Sequence, residues 1–434
     1  MNDGSTAVVR VDEARLTSFV EQLGRVGAQS GGGIIRPLYS PPWREAQDMV
    51  AAMMRDAGLS VREDAVGNVF GRLVGDTAEP VLMTGSHIDT VVHGGAYDGA
   101  LGVLSAIVAV EACAVAGGVP RRTVEVVSLC EEESSRVHAN YFGTRSILGL
   151  VAENEPEHLV DLDGVTLAEA ARSVGLNPAR FSEARREDFD TFLELHIEQG
   201  RTLIDSGIEI GVVDVITGFV WLEVVVEGRT DHAGATAMTH RRDALQAAAR
   251  MVTAVEGVAL AEGHPAVATT GVVRVHPGGA NIVPGRVEFT IDVRHPELDV
   301  LDQMVTAMRE QCAAVATDRG VEVNLQLVKK TPPHTLDVGL RAVLQQAAET
   351  CGATWRELPS GAGHDSQTMG TRVAAAMLFV PSVDGRSHSP AEHSTPHDCA
   401  RGASVLATAL RLLAWSPPQG GQWGSTTPGV VSVP

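Results

Sequence analysis

The stretch that most constrains this chain runs from residue 80 to residue 130. Apolar segments at 80–86 and 123–130 flank an Ala- and Val-rich, lightly charged stretch at 99–117. The flanking segments have strand length and the middle one the length of a buried helix. Strand, helix, strand in that order predicts a parallel α/β sheet. Reactive groups in such sheets gather beyond the carboxyl ends of the strands. Two sequences stand at those ends here, GSHIDTVVHGGAYDG at 85–99 and CEEES at 130–134.

The rest of the chain extends this plan. Leu16, Phe19, Val20 and Leu23 recur at helical spacing, which predicts an amphipathic helix over 12–26; a second is predicted over 42–58, opening after Pro41-Pro42, and a further strand over 68–74. Region 219–328 has another character. A strand at 219–227, a helix at 241–256, strands at 267–275 and 286–294, a helix at 297–316 and a strand at 321–328 give the order βαββαβ, a split-βαβ sandwich. The chain then returns to the first pattern, with helices at 337–351 and 397–414 around a strand at 373–380. The predicted fold is therefore α/β, a mixed and mostly parallel sheet with flanking helices, interrupted by an inserted α+β domain. The boundaries are 1–213 and 330–415 for the first domain, 214–329 for the insertion and 416–434 for a Pro/Gly/Ser-rich tail read as disordered or draped over the surface.

Composition narrows the function. The 34 basic and 54 acidic residues give a net charge of −20, which argues against nucleic acid or an anionic membrane as partner. No uncharged apolar run approaches the ~20 residues that span a bilayer, and the N-terminus lacks the basic-then-apolar order of a signal peptide. The five cysteines are scattered without a CxxC pair, which points to a reducing, cytoplasmic setting. There is no GxSxG elbow, no GxxxxGK[ST] loop and no HExxH.

The candidate chemistry lies in clusters. His87, Asp89 and Asp98 combine imidazole with carboxylate, as a borderline cation such as zinc requires. Asp89, two residues after His87 on extended backbone, is placed to orient its imidazole. The glycines at 94, 95 and 99 let the loop return Asp98 towards His87. Glu131-Glu132-Glu133 put three carboxylates at a strand end, where a cation would relieve their repulsion. LELHIEQG at 193–200 offers His196, with Glu198 and Gln199 beside it; GAGHDS at 361–366 offers His364, and GRSHSPAEH at 385–393 offers His388. Each cluster alone has a plainer reading as a polar loop, a solvated acidic turn or a structural histidine. Taken together, most of them following predicted strands, they point to one site.

In this order the clusters closely resemble the amidase/hydantoinase/carbamoylase branch of the dinuclear-zinc peptidase-like hydrolases. Further matching stretches are GRTDHAGAT, NIVPGR and DVRH, and the resemblance runs from about residue 12 to 415. It implies a zinc-aminopeptidase-like catalytic domain with two divalent metal ions, zinc first and manganese, cobalt or nickel as alternatives. His87 and His196 would hold one ion, Glu133 and His388 the other, and Asp98 would bridge them. Glu132 would be the general base and Glu131 a bystander. The inserted domain would serve as lid and homodimer interface. Arg294 and Asn281 would bind a substrate carboxylate, His232 would meet the developing oxyanion, and Gln199 and His364 would hold the ureido group. The implied reaction is hydrolysis of a linear C–N amide or ureido bond, first of all in an N-carbamoyl-L-amino acid. Allantoate, a ureidopropionate or an N-acyl compound are the alternatives, and a metal-binding relative without turnover is the rival of a different class. The family usually has glycine after the paired glutamates; here Ser134 stands there, which bears on the backbone at Glu133 and the shape of the pocket.

Overall fold

The computed structural model describes residues 8–137 and 139–416. The tail read from sequence lies outside the described residues from 417 on. The chain forms two compact units. One comprises the chain up to Asp214, Leu336–Leu358 and the part from His364 on; the other comprises Val215–Thr335 and Pro359–Gly363.

The first unit is built on a mixed sheet. Its strands follow the spatial order Ser60–Glu63, Val69–Leu73, Val124–Leu129, Val81–His87, Phe189–Ile197, Ala374–Val380 and Ile210–Ile216. The four from Val124–Leu129 to Ala374–Val380 run parallel, and the pairings on either side of them are antiparallel. Every residue of Val81–His87 and Val124–Leu129 is buried, as strands covered on both faces must be. The predicted strand, helix, strand order thus holds, with His87 as the last residue of its strand.

Helix Ala100–Gly117 packs with Glu13–Leu23, Val338–Thr350 and Pro396–Ala414 in one apolar core. Local chemistry starts these helices. Asp12, Thr395 and Asp337 each accept backbone N–H groups of the first turn, and Pro396 follows its cap directly. Ala100–Gly117 and Ala244–Glu262 are long and apolar enough to cross a bilayer by composition alone, which the run-length reading did not register. In Ala100–Gly117 that apolarity is spent on the core: two thirds of it is buried inside the protein.

The second unit carries a sheet in the order Val273–His276, Arg286–His295, Gly218–Glu227 and Glu322–Thr331, with helices Ala244–Glu262 and Leu298–Arg319 packed in its own apolar cluster. Strict alternation of buried and half-buried residues along Arg286–His295 reflects one covered face. The strand predicted at 267–275 is broken into Val267–Thr269 and Val273–His276, which lie on the same partner, Arg286–His295, at different registers. Both helices outrun their predicted ends, at Glu262 and Arg319.

Candidate metal centre

The carboxyl ends of the parallel strands deliver the site. His87 closes Val81–His87, His196 is the penultimate residue of Phe189–Ile197, and Glu131–Glu133 follow Val124–Leu129. Asp98 lies just before helix Ala100–Gly117, and His388 comes from the loop after Ala374–Val380.

Asp98 is the centre of the cluster. Its Oδ1 is 3.2 Å from His196 Nε2 and 3.8 Å from His87 Nε2. Its Oδ2 is 3.5 Å from His388 Nε2, which in turn lies 3.4 Å from Glu133 Oε1. One carboxylate therefore presents one oxygen to each of two donor groups, His87/Asp98/His196 and Asp98/Glu133/His388. The imidazoles are held from behind. His87 Nδ1 is 3.1 Å from the Asp89 carbonyl and His196 Nδ1 is 2.9 Å from the Ile197 carbonyl, so Nδ1 carries the proton and Nε2 faces Asp98. Gly99 N also lies 3.0 Å from His196 Nε2, which can accept from it only in the neutral ring.

The electrostatics fit a cation pair. Asp89, Asp98, Glu132 and Glu133 crowd four carboxylates into a buried pocket. Burial and the neighbouring Glu133 push Glu132 well above the usual carboxylate range, and burial and Asp98 raise Glu133. Asp98 is held well below that range because its contact with His196 outweighs its burial. Against the pull of burial, the same contact takes His196 up to about 9; the Glu133 hydrogen bond takes His388 to about 9. Nitrogen and carboxylate oxygen donors, converging in two sets around excess negative charge, suit two divalent ions.

Asp89 lies beside His87, as expected, and has a second task. Its backbone carbonyl lies 3.1 Å from His87 Nδ1 and its Oδ1 3.7 Å from the same nitrogen, while its carboxylate also accepts the N–H groups of Glu132 at 3.3 Å and Glu133 at 3.0 Å. Asp89 thus ties the two acidic segments together. Glu131 is no solvated bystander. It is fully buried, accepts Val137 N–H, and is pushed well above its usual range by burial and by Asp89.

Ser134 adopts φ +53°, the left-handed region glycine enters without cost. Its hydroxyl is turned to Asn140, donating to Oδ1 at 2.9 Å and accepting N–H at 3.0 Å. The serine therefore keeps the glycine-like backbone of the turn and is anchored away from Glu133.

Gln199 donates to Asp98 Oδ2 at 2.8 Å, and its Oε1 accepts no hydrogen bond among the described residues. The His364 ring lies 4.5 Å from that of His196; burial, then His196, hold it well below an ordinary histidine, as neutral imidazole. The remaining candidates lie in the second unit. Arg294 spans both oxygens of Asp292, at 3.0 and 2.9 Å, so the fork assigned to a substrate carboxylate is already engaged by a protein one. His232 Nδ1 accepts the N–H groups of Gly234 and Ala235, and the exposed Asn281 accepts Ala233 N–H through its carbonyl.

Sequence reasoning missed Ser387 and Glu392, although both lie in the SHSPAE stretch beside His388. It also missed Arg36, a buried guanidinium that donates to the Ile88 carbonyl between His87 and Asp89. Nothing in the sequence around Arg36 marks it.

Comparison with known proteins settles the family. The model of peptidase family M20/M25/M40 matches residues 83–412. The chain belongs to this family. Within it the chain is an amidohydrolase by its relatives. It is 40% identical to allantoate amidohydrolase of Bacillus subtilis (strain 168) over 403 residues, covering 92% of this chain and 97% of the relative. It is 39% identical to N-carbamoyl-L-amino acid amidohydrolase of Geobacillus stearothermophilus over 405 residues, covering 92% and 98%. The crystal structure of a hydantoinase/carbamoylase family amidase from Burkholderia multivorans superposes with a TM-score of 0.86 at 34% identity, covering 94% of this chain and 99% of the other. M20 enzymes are metal-dependent, and the two donor groups around Asp98 are this chain's candidates for holding the ions.

Proposed function

We propose that the chain hydrolyses a linear ureido C–N bond in a carboxylate-bearing small molecule, first of all an N-carbamoyl-L-amino acid, releasing amino acid, ammonia and carbon dioxide. Allantoate and ureidopropionate are the alternatives, followed by N-acyl amino acids. The observation that carries this reading is the single carboxylate, Asp98, shared by two nitrogen-and-oxygen donor groups, with the Glu132 carboxylate 3.7 Å from His87. Relatives named for carbamoyl amino acids and for allantoate support the substrate class.

In this reading His87 and His196 would hold one ion, Glu133 and His388 the other, and Asp98 would serve both. Zinc is the first choice, and manganese, cobalt and nickel suit the same donors. When bound, such a pair supplies Lewis acidity at the carbonyl oxygen and makes water a better nucleophile. Glu132, buried and readily protonated, takes the proton from the attacking water and returns it to the leaving nitrogen. Asp89 fixes the peptide groups of Glu132 and Glu133, so base and ligand keep their places relative to His87. The buried Oε1 of Gln199 has no protein donor among the described residues and would accept an N–H of the ureido group, and His364 offers a neutral ring to the same group. Arg294 and Asn281 bind the substrate carboxylate, which must compete with Asp292 for the guanidinium. His232 meets the negative charge that develops on the carbonyl oxygen. We further propose a homodimer formed through the second unit and a cytoplasmic location, the latter supported by five free, buried cysteines.

The test combines metal analysis with ammonia release from N-carbamoyl-L-amino acids, allantoate and 3-ureidopropionate, and with formate release from N-formyl amino acids. The highest kcat/KM is expected for a carbamoyl amino acid. Stoichiometric metal with no release from any member of the panel would mark a binding protein instead.

A further inference from the structure

Beside the proposed ligands lies a carboxylate that the reaction does not use. Glu392 is only 6% exposed. Its Oε1 accepts the backbone N–H of Tyr97 at 2.8 Å and of Asp98 at 3.0 Å. Its Oε2 is 2.9 Å from the Ser387 hydroxyl, and that hydroxyl is also 2.5 Å from Asp98 Oδ2. Space is reserved for this group, because a Cβ at Gly95 would lie 2.1 Å from Glu392 Oε1. The segment it serves needs holding, since His388, next to Ser387, has a φ of +52° that a non-glycine residue adopts at a cost.

We propose that Glu392 is a positioning residue for the metal pair. It fixes Asp98 by its backbone directly and by its side chain through Ser387, and so locks the loop carrying His388 to the loop carrying Asp98. Both loops are irregular, and Glu392 is 294 residues from the Asp98 amide that it holds. The inference rests on the reading of Asp98 and His388 as ligands. Groups that orient metal ligands in this way typically change metal affinity about 10–100-fold when removed.

The test uses the full chain loaded with zinc or cobalt, as wild type, Glu392→Ala, Glu392→Gln and Ser387→Ala. Metal per chain, the rate of metal loss to a chelator and the visible spectrum of the cobalt form are measured. Glu392→Ala is expected to lose metal about 10–100-fold faster, with an altered cobalt spectrum. Glu392→Gln should recover most of the loss, because its amide oxygen still accepts both N–H groups. Ser387→Ala should fall between them, and it decides the matter if Glu392→Ala does not fold. Wild-type release rates and an unchanged spectrum in the folded variants would overturn the inference. A wild-type chain that takes up no stoichiometric metal would overturn the metal reading beneath it.

Discussion

A Cβ at Gly99 would lie 2.2 Å from Nε2 of His87. The residue preceding helix Ala100–Gly117 is glycine because the imidazole fills the space a side chain would take, and because φ there is +62°. Gly99→Ala should therefore cost about 1–3 kcal/mol in backbone strain alone, while its main effect falls on the site. We expect at least about a 100-fold loss of kcat/KM, in line with a misplacement of about 1 Å in a catalytic geometry, together with metal content below that of wild type. Metal analysis of the folded variant checks this; full occupancy would refute it.

Glu132 and Glu133 are neighbours with separate assignments. Glu132→Gln keeps the ligand set and removes the group that takes the proton. It should retain metal and lower kcat by about 10²–10⁴-fold, the range attributed to general acid–base catalysis. Glu133→Gln should instead lose metal. Parallel metal analysis and steady-state rates distinguish the two.

His196 and His388 both rise to about 9 through contacts with Asp98 and Glu133. A histidine whose folded pKa exceeds its unfolded value contributes stability that is complete below pH ~6.5 and fades as pH rises through the folded value. The metal-free protein should thus lose stability between pH ~6.5 and ~9 from these two groups. Divalent cations compete with the same protons, so metal binding should release protons near neutrality and tighten as pH rises. Calorimetry in buffers of different ionisation enthalpy reads the protons directly, and zero release at pH 7 would contradict the assignment.

Ser134 balances a left-handed backbone against two hydrogen bonds to Asn140. Ser134→Gly relieves the first and forfeits the second, each worth about 1 kcal/mol, so the melting temperature should barely move. Ser134→Ala keeps the strain and loses the bonds, and should destabilise by about 1–2 kcal/mol. Denaturant unfolding of both variants makes the comparison.

Arg294 is held by Asp292, which makes its affinity for a second carboxylate a matter of competition. Arg294→Ala should raise KM for a carboxylate substrate by about 10–100-fold, on the scale of a charged hydrogen bond. An unchanged KM would remove Arg294 from the binding site.

How much of this could be read beforehand differs by feature. The strand, helix, strand core was legible because each segment's length and apolarity are local properties, as was the gathering of polar groups at its carboxyl ends. Asp98 and the four residues around it were recognisable as motifs and do converge. The break in 267–276 was not legible, since it follows from two registers on one partner strand. Nor was the role of the Asp89 carboxylate: residues two apart on a strand share a face, but the chain turns after His87 and aims it at the Glu132–Glu133 backbone. Glu392 and Arg36 act on segments far away in sequence, and no local periodicity encodes such partners.

The strand Ala374–Val380 lies between Phe189–Ile197 and Ile210–Ile216 in the sheet. A nascent chain emerging from the ribosome must therefore leave a gap there until residues 374–380 arrive. His388 follows the strand that fills the gap, so both donor groups around Asp98 are complete only once that strand is in place. Truncation between residues 217 and 373 would leave Phe189–Ile197 and Ile210–Ile216 without the strand that joins them, and so two bare, sticky edges.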